Sequence, residues 1–332
     1  SFKGRCHMKF DVCALGELLI DFTPIGLSEN GNPLFERNPG GAPANVLTAL
    51  ANLNKKTAFL GKVGDDHFGH FLERVLNEQE IDTSGLLFSK DTPTTLAFVH
   101  LDERGDRSFS FYRNPGADIT LTSQELMKEV ITQSRIFHFG SLSLTHEPVR
   151  SATLEALKVA KENHILVSYD PNLRPALWSS LEQAKEQILK GLEFADIVKI
   201  SEDEFGFLTK SRSLEEGTQH LCEKYNVSLL LVTMGEKGCF YRFGGQTGYK
   251  NGFKTATIDT TGAGDAFFGG ILYKLIEMGL HPHELTGKEM EQVTTFANGL
   301  AALSTTRLGG IPSMPTLKEV EEFLKTNQVE KK

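Results

Sequence analysis

Four cysteines are all the chain has, and no two of them form a C-x-x-C pair: Cys6, Cys13, Cys222 and Cys239 stand apart along 332 residues. A zinc site or a disulfide framework would need such pairing, so reduced thiols in the cytoplasm are expected. Long hydrophobic runs are missing too; nothing approaches the ~20 apolar residues of a membrane-spanning helix. Positive charge is in deficit, with 35 Lys and Arg against 43 Asp and Glu, a formal net charge of −8. That balance argues against nucleic acid or an anionic membrane as partner. It leaves a small anionic substrate open, because such a substrate needs only local positive potential. Familiar phosphate and nucleophile signatures are absent: no G-x-x-x-x-G-K-S/T, no G-x-G-x-x-G opening a helix after a strand, no nucleophile elbow. His67 and His70 share a helical spacing but lack a third ligand, and read as surface residues. Residues 1–7 read as a short polar leader or remnant, with Met8 as the start.

What is present is an ordinary soluble composition, 39% hydrophobic and 23% charged, in a chain long enough to bury a large core. One stretch organises it. Ile258-Asp-Thr-Thr-Gly-Ala-Gly-Asp265 runs into an apolar segment that ends at Gly279 and reads as a buried helix. Thr260 and Thr261 can cap its start. Gly262 and Gly264, around Ala263, remove the side chains that would keep an anion from the helix's unpaired N–H groups, where the helix dipole adds positive potential. Asp265 then places a carboxylate beside an anion nest. A cap alone needs neither glycine, so the string points to a base next to developing negative charge.

Elsewhere the chain alternates. Phe10 to Phe22 is a nearly continuous apolar run broken at Gly16 and interrupted by Asp21, a carboxylate that must be paired or face a polar ligand. Gly40-Gly41-Ala-Pro-Ala-Asn45 is a loop feeding a helix. Thr94–Leu101 and Arg107–Arg113 read as strands around a Glu103–Asp106 turn, a hairpin lying like a flap over one sheet edge. From Arg135 onward strands and helices follow one another with no internal repeat, the pattern of a parallel sheet with helices on both faces. Asp21, Asp170-Pro-Asn172, Lys199-Ile-Ser201 and Thr233-Met-Gly235 fall at strand carboxyl ends, where open parallel sheets bind ligands.

Gly40-Gly41-Ala-Pro-Ala-Asn45 taken with Asp259-Thr-Thr-Gly-Ala-Gly-Asp265 resembles the two signatures of the ribokinase-like (PfkB) sugar kinase family. The resemblance runs from Met8 to Thr326. Within the family the chain is most similar to the fructokinases, through Gly16-Glu-Leu-Leu-Ile-Asp-Phe22, Leu96-Ala-Phe-Val99, Phe111-Tyr-Arg-Asn-Pro-Gly-Ala-Asp118, Tyr169-Asp-Pro-Asn-Leu-Arg174 and Lys199-Ile-Ser-Glu202. It implies one kinase domain over residues 8–332, an α/β fold with a central, mostly parallel sheet, and a small antiparallel lid from segments near 22–38 and 93–114. The implied reaction moves the γ-phosphate of ATP to the 6-hydroxyl of D-fructose. Asp265 would be the base, with Gly262, Ala263 and Gly264 holding the phosphoryl group. Asp21, Gly40, Gly41, Asn45, Asn172 and Arg174 would bind sugar, with Phe98 and Phe111 as walls and Arg113 at the rim. Lys199, Ser201, Thr233, Gly235, Gly238 and Asn298 would meet the nucleotide. Glu204 would organise Mg2+ through water. Asp259, Thr261, Ser304, Arg307, Gly309 and Ser313 match the loops that hold a monovalent cation, K+, in related enzymes.

By residue type alone, Phe98 and Phe111 equally suit lid core, Arg113 and Arg174 scaffold ion pairs, and Glu204 an exposed helix position. Ribokinases carry Asn where Ser201 stands, and Ser304 would offer a carbonyl whatever its side chain. The resemblance also leaves 2-keto-3-deoxygluconate kinase in view, where an arginine of a Tyr-Arg pair meets a carboxylate, as Arg113 would; nucleoside kinase follows it. A non-catalytic sensor of the same fold would be expected to lose Asp265. Paired lids would make a homodimer.

Overall fold

A computed structural model describes residues 8–104 and 107–329. The expected leader and the tip of the Glu103–Asp106 turn lie outside the described residues.

The apolar run broken at Gly16 folds as two strands, in two different sheets. β1 (Phe10–Leu15) lies inside the large sheet, and after Gly16 the chain leaves in β2 (Leu19–Leu27), which pairs with β3 (Pro33–Gly40). The order continues α1 (Ala42–Asn52), β4 (Thr57–Gly64), α2 (His67–Glu78), β5 (Asp82–Ser89), then the hairpin β6 (Leu96–Leu101) and β7 (Arg107–Tyr112). The second half runs α3 (Lys128–Thr132), β8 (Ser134–Gly140), α4 (Val149–Glu162), β9 (Leu166–Asp170), α5 (Leu181–Leu192), β10 (Ile197–Ser201), α6 (Glu202–Thr209) and α7 (Leu214–Tyr225). It closes with β11 (Leu229–Thr233), β12 (Cys239–Phe243), β13 (Gln246–Lys250), α8 (Ala263–Met278), α9 (Gly287–Ser304) and α10 (Leu317–Val329).

Nine strands form the large sheet in the order β13-β12-β11-β10-β9-β8-β1-β4-β5. All neighbours from β11 to β5 are parallel, and antiparallel pairing enters only where β12 joins β11 and β13. The expected mostly parallel α/β sheet is thus the one observed. Its central strands bury both faces, as continuous apolar runs require. Val12 and Ala14 face a core built with α1, α2, α8 and α9, while Cys13 and Leu15 face a second core built with α4 to α7.

The lid is a separate four-stranded sheet, β3-β2-β6-β7. Its outer pairs, β2 with β3 and β6 with β7, are antiparallel as expected, and β2 and β6 join them through a short parallel pairing. β3, β5 and the β12–β13 hairpin carry weak sequence signals; β3 has a proline near each end and is largely exposed.

Two contacts fix the site's helices. α8 lies between α1 and α9 through adjacent glycines, where a Cβ on Gly269 would sit 2.8 Å from Ala49 Cβ and one on Gly270 2.9 Å from Ala297 Cα. At the start of α1, Gly41 has φ 124° and its missing Cβ would fall 2.4 Å from the Glu17 carbonyl oxygen. Its own carbonyl accepts the Asn45 N–H. Gly41→Ala is therefore expected to lose roughly 1–3 kcal/mol of stability, read as a lower urea midpoint at unchanged slope.

Candidate active site

α8 begins as the sequence anticipates but is capped differently. Gly262 is the N-cap, in the left-handed region at φ 77°, and no side chain caps it. The Thr261 hydroxyl is turned away to the Asp259 carboxylate, to which it donates at 2.6 Å, and Thr260 supplies its carbonyl to Ala263 N–H. The expected threonine cap is corrected: the helix start carries no side-chain oxygen, which suits an incoming anion.

Asp265 stands in the first turn, half-buried. Asn45 Nδ2 donates to its Oδ2 at 2.9 Å, joining the two glycine-rich signatures across 220 residues. Burial, reinforced by the Asp170 charge, pushes the Asp265 carboxyl up to about 7, against the opposing pull of Lys199, the Asn45 hydrogen bond and Arg174. Lys199 Nζ donates to Asp170 Oδ2 at 2.8 Å, and both side chains are buried. A Cβ on Gly264 would lie 2.8 Å from that same Nζ, so a full positive charge stands directly behind the glycine turn. Asp170, the last residue of β9, is the member to which sequence reasoning assigns no role. Its signal is the one that marks Asp21, a carboxylate in an apolar strand.

Of the residues expected to hold sugar, Asn45 and Arg174 act directly on Asp265, Asp21 shares Arg174 with it, and two stand as exceptions. Asp21 Oδ2 occupies the space that a side chain at Gly40 would need, 2.3 Å from where a Cβ would stand. Burial lifts the Asp21 carboxyl to about 6, partly offset by Arg174. Asn45 Oδ1 is buried without a hydrogen-bond partner, an unmet acceptor worth about 1–3 kcal/mol until something donates to it. Asn172, at φ 47°, donates its main-chain N–H to Asp170 Oδ1. Arg174 is exposed, and its charge acts on both Asp21 and Asp265.

The first exception is Arg113. Its guanidinium is spent on Asp118, Thr145 Oγ1 and the Leu142 carbonyl at 2.8–3.0 Å, and it is 4% exposed. It braces the scaffold and has no rim position. The second is Phe98. Cross-strand register sets Asp21 beside Ala97 and Ala97 opposite Phe111, so Asp21 and Phe111 share one face of the lid. Phe98, one residue on, belongs to the other face, stacked on Phe22 at 4.7 Å. Phe98 and Phe111 therefore cannot wall the same ligand.

Beside the anion turn lies a cavity of about 440 Å³ lined by Thr233, Gly235, Gly238 and Asn298 and reaching Ala263 and Gly264. Its size suits a nucleotide-sized ligand. Asn298 is held by the Lys250 and Asn251 carbonyls. Lys199 and Ser201 are not among its lining residues. Ser201 instead caps α6: its Oγ accepts from Glu204 N–H, and Glu204 accepts from Ser201 N–H in return. The other Glu204 oxygen accepts from Leu173 N–H at 2.7 Å, so this carboxylate first clamps the loop after β9.

The loops after residues 257 and 304 are knitted together. Ile258 and Asp259 N–H groups both donate to the Thr305 carbonyl, and Asp259 Oδ2 accepts from Gly309 N–H. Ser304 and Ser313 hydroxyls turn back to the Ala301 and Gly310 carbonyls, and Arg307 pairs with Glu319. Among the described residues no group of three His, Cys, Asp or Glu is placed to hold a metal ion. A cation here would rest mainly on carbonyl oxygens, donors that suit a hard ion.

A cavity reaching a glycine-lined helix start, with a carboxylate in the helix's first turn, is an arrangement suited to phosphoryl transfer. Residues 9–317 match the pfkB family carbohydrate kinases, and the chain belongs to that family. It is 45% identical over 326 residues to "Fructokinase-1" of Oryza sativa subsp. japonica, covering 97% of this chain and 99% of that protein. Among solved structures, the fructokinase of Xylella fastidiosa with bound ATP superposes with a TM-score of 0.89 at 32% identity, covering 97% of this chain and 100% of that one. A double-mutant fructokinase of Vibrio cholerae O395, solved with fructose, ADP and potassium ion, gives 0.84 at 34% identity over 96% and 99% of the two chains.

Two outcomes are expected. A carboxyl raised to about 7 carries its proton below that pH and accepts one above it, so kcat/KM should fall as pH drops through about 7, steepening near 6 as Asp21 protonates. An acid limb near pH 4, the ordinary carboxylate range of about 3.9–4.3, would contradict this. Arg113→Ala should cost about 3–5 kcal/mol of stability in denaturant titration, because it strands buried Asp118.

Proposed function

We propose that the protein is an ATP-dependent fructokinase, moving the γ-phosphoryl group to the 6-hydroxyl of D-fructose. One observation carries the chemistry: the Asp265 carboxylate, tuned to about 7, stands in the first turn of a helix whose start is left open by Gly262 and Gly264. Fructose as acceptor is supported by the relatives' names and by the fructose and ADP in the Vibrio cholerae structure.

In this reading Asp265 takes the proton of the attacking hydroxyl. Asn45 holds the carboxylate in place, and its unpartnered Oδ1 receives a sugar hydroxyl. Asp21, Gly41 and Arg174 complete the sugar contacts, with Phe111 on the inner lid face as the wall. The N–H groups of Gly262, Ala263 and Gly264, backed by the Lys199 ammonium, meet the charge that spreads over the moving phosphoryl group. Mg2+ neutralises phosphate charge in such transfers; Glu204 is the carboxylate proposed to order its water, through the lone pairs its clamp leaves open. A potassium ion fits the carbonyl-rich loops around Asp259 and Ser304. Lid closure over the sugar keeps water from competing as acceptor.

The sugar-acid alternative needed a free Arg113, and that guanidinium is fully committed inside the scaffold. A dimer is supported by apolar side chains exposed on the lid, among them Ile25, Leu27, Phe35 and Tyr112. Covering them with the lid of a second copy removes the liability. Unpaired Cys13, Cys222 and Cys239 suit the reducing cytoplasm.

Asp265→Asn is expected to lower kcat by about 10²–10⁴ with a smaller change in sugar KM. Coupled ADP release across a sugar panel should show fructose as the preferred acceptor. Preferred turnover of a sugar acid, or a variant keeping most of its kcat, would contradict the assignment. A monomeric mass at working concentration would remove the dimer.

A further inference from the structure

Arg107 opens β7 on the face of the lid that carries Asp21 and Phe111, since Leu101 and Arg107 pair across the hairpin in the same register. Its side chain leaves the lid. Nη1 lies 3.4 Å from the Thr261 hydroxyl and Nη2 3.7 Å from the Asp259 carboxylate. These are the residues that lead into Gly262. Asp259 Oδ1 also accepts the Thr261 N–H and O–H, and Oδ2 the Gly309 N–H, so this carboxylate shapes the turn before the anion site.

A half-exposed pair at this distance adds little to fold stability. Its geometry is more informative. Phe111 is four residues along the same strand face, about 14 Å away. One lid strand thus spans from the sugar wall at one end to the phosphoryl turn at the other. We infer that Arg107 is a positioning residue that latches the closed lid onto the Asp259–Thr261 turn, so that sugar binding at one end of β7 sets the phosphoryl-binding loop at the other. The inference rests on the sugar kinase reading but not on which sugar is used.

Wild-type turnover on the sugar panel is read first and tests that reading alone. Arg107→Ala, Arg107→Lys, Thr261→Val and the Ala/Val double variant are then measured on whichever sugar the wild type accepts. Arg107→Ala should lower kcat about 10- to 100-fold, with the thermal midpoint and the affinity for ATP in the absence of sugar unchanged. The tightening of nucleotide binding by sugar, read by calorimetry, should largely disappear. Arg107→Lys should restore part of it by keeping the charge, and the double variant should be no worse than the poorer single one. Unchanged kcat and unchanged sugar–nucleotide coupling in Arg107→Ala would overturn the latch. So would strictly additive losses in the double variant.

Discussion

The structure depends on how one carboxylate is held. Asp265 sits where burial and the neighbouring Asp170 favour its proton, and where Lys199, Asn45 and Arg174 favour its loss. The first side outweighs the second, and the resulting value of about 7 is near the neutrality that proton transfer at neutral pH requires. Remove the Lys199–Asp170 pair and both sides of the balance change together. The pair is buried, so its charges act through a medium that screens them little.

The fold exists around that point in a specific sense. Asn45 comes from the first turn of α1 and Asp265 from the first turn of α8, so their bond is only as good as the packing of the two helices. Gly269 against Ala49 brings the helices close, and Gly41 against Glu17 fixes where α1 begins. Asp170 and Lys199 arrive on adjacent parallel strands, β9 and β10, close to their carboxyl ends. The lid adds Asp21 from a strand that continues out of the body, which is why Gly16 divides what reads as a single run.

Legibility follows the kind of signal involved. The Gly40–Asn45 and Asp259–Asp265 strings point to the α1 and α8 starts because glycine, proline and a first-turn carboxylate act locally. The alternation of β and α after Arg135 is equally plain, since period and punctuation are local too. Three matters are less direct. Phe98 and Phe111 look alike as aromatic lid residues, and only the β2–β6–β7 register puts them on opposite faces. Arg113 has an obvious partner in Asp118, five residues on, but its burial beneath Thr145 and Leu142 depends on a loop roughly thirty residues away. Ser201 and Glu204 form a capping box, a spacing present in the sequence that competes there with a ligand role.

Asp265 is a carboxyl poised near neutrality at a glycine-lined helix start. Site-specific titration of the Asp265 carboxyl carbon by NMR, assigned by comparison with Asp265→Asn, tests it most directly in the free protein. A midpoint of about 7 is expected; one near the ordinary aspartate value of about 3.9 would mean that the carboxyl is not raised by its surroundings.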